Sequence, residues 1–223
     1  MNTDKNIARI VGILFIIGTV AGVLSFVFSG PVLEDPDYLV EVSAKENQVI
    51  IGALLILVMG FALAMVPIML FPIFKKHNET LAIGSIVFRG VLEAVTYIAI
   101  AIISLLILTL SQEYVKAEAP DASYFQTTGA LLLAAEDWIT HILAIVFSIG
   151  ALIIYYLFYQ STLIPRWLSI WGIIGGLLYL SVPLLGIFGS ALDILMAPLA
   201  IQEMVLAVWL ITKGFNSSAI ASE

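Results

Sequence analysis

The sequence predicts an all-α fold: a polytopic bundle of six transmembrane helices forming a single integral membrane domain over residues 1–223. Three observations predict it. Charged residues make up only 11% of the chain against 61% hydrophobic, whereas a soluble domain carries about 25% charged residues. The runs Ile10–Leu33, Val49–Phe74 and Trp167–Leu192 contain no charge at all, and each is long enough to cross a hydrocarbon core of about 30 Å. A membrane β-barrel would instead show alternating segments of about ten residues.

Taken in order, the spans fall near 8–29, 48–73, 81–109, 129–159, 167–190 and 195–213. Lys5 and Arg9 precede the first apolar run, which is too long for a signal h-region and is read as a retained span. The segment Tyr124–Gln160 exceeds one crossing. It is read as a helix projecting beyond the bilayer, with a half-helix broken near Gly129 as the alternative. Pro165 and Pro198 suit first-turn positions, while Pro67 and Pro183 fall inside spans and should kink them. Gly18, Gly22, Gly172 and Gly176 make small-xxx-small stripes that permit close helix packing within the chain, or homo-oligomer contacts.

Charge orients the bundle. Lys5, Arg9, Lys75, Lys76, Arg166 and Lys213 fall at one end, and only Lys45 and Lys116 at the other, which carries most of the acids. By the positive-inside rule both termini are cytoplasmic, in agreement with an even number of spans.

Absences narrow the chemistry. With no cysteine, disulfides, thiol catalysis and thiolate metal sites are excluded. A net charge of −7 without a basic stripe gives no sign of nucleic-acid binding. Two histidines, without HExxH, cannot form a three-histidine zinc site, and neither GxSxG nor a P-loop is present. No metal or cofactor is therefore expected, and the partners expected are the lipid bilayer and a small polar or lipid ligand.

The informative stretch is VFRGVLEAVTY, which sets Arg89 and Glu93 four residues apart in the third span. They lie about 12 and 18 Å deep, where each ionised group costs about 2.5–3.5 kcal/mol. Arginine preceding glutamate is the weaker order for such a pair, so a partner elsewhere must hold them. Ser85, Arg89, Glu93, Thr96 and Tyr97 share one helix face, and that face must look into the bundle.

Candidate partners are Gln202 and Glu203 in the sixth span, and Asp137 and His141 in the fourth, with Glu136 pointing elsewhere. Deep acids outnumber the one deep base, so whichever glutamate Arg89 leaves unpaired becomes a protonatable carboxylate in the middle of the bundle. The candidate ligand or proton site is accordingly Arg89, Glu93, Tyr97, Asp137, His141, Gln202 and Glu203. Buried polar groups also serve as plain interhelical contacts. Trp138, Tyr155, Tyr156, Tyr159 and Trp167 are read as headgroup-level anchors, with Trp171 and Trp209 as packing.

At RIVGILFIIGTVAG, FRGVLEA, LIPRWLSIWGIIGGLLYL and IQEMVLAVWLITKGF the chain resembles the bacterial family called domain of unknown function 4386. The resemblance covers nearly the whole sequence. It maps Arg89, Glu93, Arg166, Glu203, Trp209 and Lys213 onto the family's motifs and transfers no catalytic role to any of them. It implies a multi-pass protein of the bacterial cytoplasmic membrane. Three functions stay open: a small-ligand, ion or proton binding or transport-type protein; a non-catalytic accessory, sensor or immunity protein; and an intramembrane hydrolase or transferase using a mixed site of Glu136, Asp137, His141 and Glu203.

Overall fold

The computed structural model describes residues 2–117, 122–190 and 192–216. Helices α1 (Asn2–Leu33), α2 (Tyr38–Ala44), α3 (Glu46–His77) and α4 (Glu79–Ser85) lead into a wide π-helical stretch, Ile86–Leu92. Next come α5 (Glu93–Lys116), α6 (Ala122–Ser161), α7 (Arg166–Gly186), a short 3₁₀ turn at Asp193–Met196, and α8 (Ala197–Thr212). No strand occurs among the described residues. Among the described residues six helical segments are long and apolar enough to cross a membrane, and the third runs unbroken from Glu79 to Lys116 through the π-helical stretch.

Consecutive spans pack side by side: α1 on α3, α3 on α5, α5 on α6, α6 on α7 and α7 on α8. Contact of α8 with α1 closes the ring. Short connections favour this arrangement, because each span returns beside the one before it. The outward faces carry large exposed apolar side chains such as Phe26, Phe61 and Ile102, as lipid-facing surfaces do. Inside, Phe15, Leu70, Phe74, Ile154, Phe158 and Leu206 form the main apolar cluster.

Small residues set how closely the helices approach. A Cβ on Gly12 would lie 2.6 Å from the carbonyl oxygen of Ala207, so α1 and α8 touch nearly backbone to backbone there. The small-residue stripes are occupied within the chain. Gly18 and Gly22 lie against Leu63 and Met59, and Gly172 and Gly176 against Tyr155 and Leu152.

Three expectations change. The half-helix alternative for the fourth span fails, because α6 is one unbroken helix of 40 residues through Gly129. At about 1.5 Å per residue it outruns the bilayer. The connection between the first two spans, to which the span boundaries assign no structure, holds a helix: α2 buries Leu39 and Val42, and the Ser111 hydroxyl donates to the Leu39 carbonyl. Tyr38 of α2 meets α6 at Gly129. Finally, Tyr155 is 1% exposed. Its ring faces α7 at Gly172, so it belongs to the interior, unlike the exposed Trp138, Tyr156, Tyr159 and Trp167.

Pro198 occupies the first turn of α8, and Pro165 stands one residue ahead of α7. Pro67 and Pro183 lie within helices that stay continuous around them.

Candidate functional site: a charged triad across the ring

Arg89 rises from the π-helical stretch. There the Glu93 N–H donates to the Phe88 carbonyl five residues back, one residue further than in an α-helix. Such wide turns mark functional positions in many helices. Two glycines accommodate this one. A Cβ on Gly150 of α6 would stand 2.8 Å from the Arg89 backbone nitrogen. On the other side, Gly90 faces Pro67 and Ala64 of α3. The third span is therefore gripped by both neighbours where its backbone departs from α geometry.

From this backbone the Arg89 side chain reaches two carboxylates. Its Nη1 donates to both oxygens of Glu93, at 2.7 and 2.8 Å. Its Nη2 donates to Oε1 of Glu203 on α8, at 2.9 Å. The guanidinium carbon lies 4.2 Å from the centroid of the Phe147 ring on α6, a cation–π contact. The planar fork of arginine suits this geometry, since a single ammonium could not present separate N–H edges to two carboxylates. Arg89 and Glu93 are each 1% exposed, whereas the Glu203 side chain is 13% exposed.

One guanidinium therefore serves two carboxylates, and the formal charge of the ionised triad is −1. Glu203 bonds Arg89 through Oε1, and it lines a cavity of about 290 Å³ with Tyr97, Phe147, Tyr179, Met59 and Thr140. That cavity lies where spans three and six face each other across the ring. The phenols of Tyr97, Tyr155 and Tyr179 all stand within electrostatic reach of Glu203 and Arg89.

The remaining candidates divide. Tyr97 is buried and lines the cavity. Gln202 is fully buried and donates from Nε2 to the Leu168 carbonyl at 3.0 Å, tying α8 to α7. Its amide and the Tyr155 phenol of α6, both buried, stand close enough to interact. Asp137 lies apart from the triad and lines an adjoining cavity of about 510 Å³, together with Glu136. Glu136 thus shares the surroundings of Asp137 instead of pointing elsewhere. The Nδ1 of His141 lies 2.9 Å from the backbone carbonyl oxygen of Asp137, not from its carboxylate, and the ring leans on Trp138. Among the described residues no three His, Asp or Glu side chains gather at metal-binding spacing, so the mixed set Glu136, Asp137, His141 and Glu203 does not assemble.

Sequence reasoning named the triad but missed its supports: Phe147, Gly150, Tyr179 and Tyr155. Their types carry no chemical signal, because aromatics and glycines abound in apolar helices. A glycine on the fourth span at the depth of the third span's arginine was the one available hint.

Residues 10–214 match the family model described as Domain of unknown function (DUF4386). No curated protein and no solved structure matches the chain.

Proposed function

The chain belongs to this family of unknown function, and on that premise we propose that it is a small-ligand or ion/proton binding protein of transport type. Its working group is the Glu203 carboxylate. One observation carries the reading: Arg89 holds one oxygen of Glu203 while the same side chain borders the central cavity. A carboxylate so placed can exchange an arginine hydrogen bond for a proton or a ligand without leaving its position. Intramembrane ionisable groups facing a cavity are the usual components of ion and substrate pathways.

The basic residues concentrate at the end that carries the α3–α4 and α6–α7 connections. We place that end and both termini in the cytoplasm, and the protein in a bacterial cytoplasmic membrane. Infrared difference spectroscopy of the purified protein tests the function. A carboxyl C=O band that responds to pH or ligand and vanishes in Glu203→Gln, with a changed band in Glu93→Gln, is the expected result. Carboxyl bands indifferent to both substitutions would rule it out.

A further inference from the structure

We propose that the central cavity takes a small organic cation, an ammonium carrying an apolar or aromatic body, and that this cation arrives from the acidic end of the bundle. The inference rests on the reading of Glu203 given above and names the substrate class for that group.

Charge is the first argument. Among the described residues Glu203 is the only Asp, Glu, Lys, Arg or His lining the central cavity, and with Arg89 and Glu93 behind it the ionised triad carries −1. The adjoining cavity of about 510 Å³ is lined by Glu34, Glu136 and Asp137 and by no basic residue. The two cavities share Thr140. Between them, Met59 of the inner cavity rests its sulfur on Gly22 of the outer one. A flexible thioether is a readily displaced partition. The route from the acidic end to Glu203 thus presents carboxylates, the hydroxyls of Ser25, Ser29 and Thr140, and no positive charge before the Arg89 guanidinium that Glu203 itself holds. Anions are repelled along it and cations concentrated.

The second argument is the wall chemistry. Around Glu203 the lining is mainly carbon, sulfur and aromatic rings: Tyr97, Phe147, Tyr179, Met59, Leu143 and Met196. A hard inorganic cation requires about six to eight oxygen ligands, and no cluster of three acidic or histidine side chains stands here among the described residues. One carboxylate oxygen with an apolar and aromatic surround instead matches one ammonium head on an apolar body. The volume, about 290 Å³, lies just under the range of ligand cavities, roughly 300 to 1,000 Å³, which suits a small ligand.

The test measures binding to the wild-type protein in phosphatidylcholine nanodiscs by calorimetry at pH 7, with empty nanodiscs subtracted. The probes are phenethylammonium, its neutral isostere 2-phenylethanol, and the anion 3-phenylpropionate. Saturable binding of the ammonium, about tenfold or more tighter than the alcohol and with no binding of the carboxylate, is expected. Equal binding of ammonium and alcohol, or no ammonium binding, overturns the proposal without needing any variant. Glu203→Gln, checked for unchanged helicity, should weaken the ammonium about tenfold and leave the alcohol unaltered. The double variant Glu136→Gln/Asp137→Asn should slow ammonium association several-fold at low salt with dissociation unchanged; an unchanged association rate overturns the route. If the Glu203 carboxyl band responds to pH while no ammonium binds, the proton-exchange reading stands and the substrate class falls.

Discussion

The guanidinium of Arg89 and the carboxylate of Glu203 join at 2.9 Å across 114 residues of sequence. Their helices are not neighbours in the ring. The bond therefore spans its centre, where spans three and six would otherwise face each other over a cavity. Arg89→Met removes the cation and leaves two acids without a counter-charge. It should lower stability by about 3–5 kcal/mol, since breaking a buried pair from one side costs more than removing the whole pair. Replacing all three groups, as Arg89→Met/Glu93→Leu/Glu203→Met, should recover most of that loss while abolishing ligand binding. Denaturation in mixed micelles together with ligand binding measures both. Retained binding in the triple variant would assign the triad to helix packing alone.

Gly150→Ala should destabilise by about 1–3 kcal/mol, because the new methyl would meet the Arg89 nitrogen at 2.8 Å and its Cβ at 2.9 Å. Neither atom belongs to a flexible side-chain end. Gly84→Ala is the control. Its Cβ meets only Ile153 Cδ1 at 3.6 Å, and alanine favours a helix over glycine by about 1 kcal/mol. Unfolding midpoints of the two variants should move in opposite directions.

Ser111→Ala should loosen α2 without unfolding the spans. The hydroxyl donates to the Leu39 carbonyl, and its loss costs about 1 kcal/mol. Amide exchange over residues 38–44 should accelerate several-fold while exchange in α3 stays unchanged. Equal acceleration in both would show that α2 and the bundle open together.

Gln202→Met should change stability by less than about 1.5 kcal/mol. It deletes one hydrogen bond to Leu168 and the contact of the amide with the Tyr155 phenol, but a thioether of similar volume keeps the packing. A loss above about 3 kcal/mol in thermal unfolding would mean that the Gln202 amide is more fully bonded than this.

A chain without cysteine allows single-cysteine labelling with no background. Asp37→Cys should react with an impermeant maleimide added outside intact cells, and Glu79→Cys only after permeabilisation. The reverse pattern would invert the proposed orientation.

The six spans were legible because hydrocarbon thickness translates directly into run length, and the inward face of the third span because Arg89, Glu93 and Tyr97 recur at helical spacing. Glu203 could be named as a partner because so few acids lie deep. That Arg89 serves both carboxylates at once was not legible. It depends on the rotation of α8, and a helix that is apolar all round carries no periodic pattern to reveal its rotation. Tyr155 was misplaced for the same reason, since depth along a helix was readable while direction around it was not. The helix α2 was hidden among five acidic residues, where its buried Leu39 and Val42 make too short a pattern to stand out.

The wide turn at Ile86–Leu92 has a consequence for the angular phase of the third span. It holds a surplus residue, so Glu93 and Tyr97 keep their heading only while the i→i+5 bonds persist. If this stretch tightened to ordinary pitch with no residue removed, everything beyond it would swivel by about 100°. Arg89 and Glu93, four residues apart, would stay neighbours, but the helix on the two sides of the turn would no longer face the interior together, and the bond from Arg89 to Glu203 would come undone. A single supernumerary peptide unit thus acts as the catch that keeps the interior's charges in register.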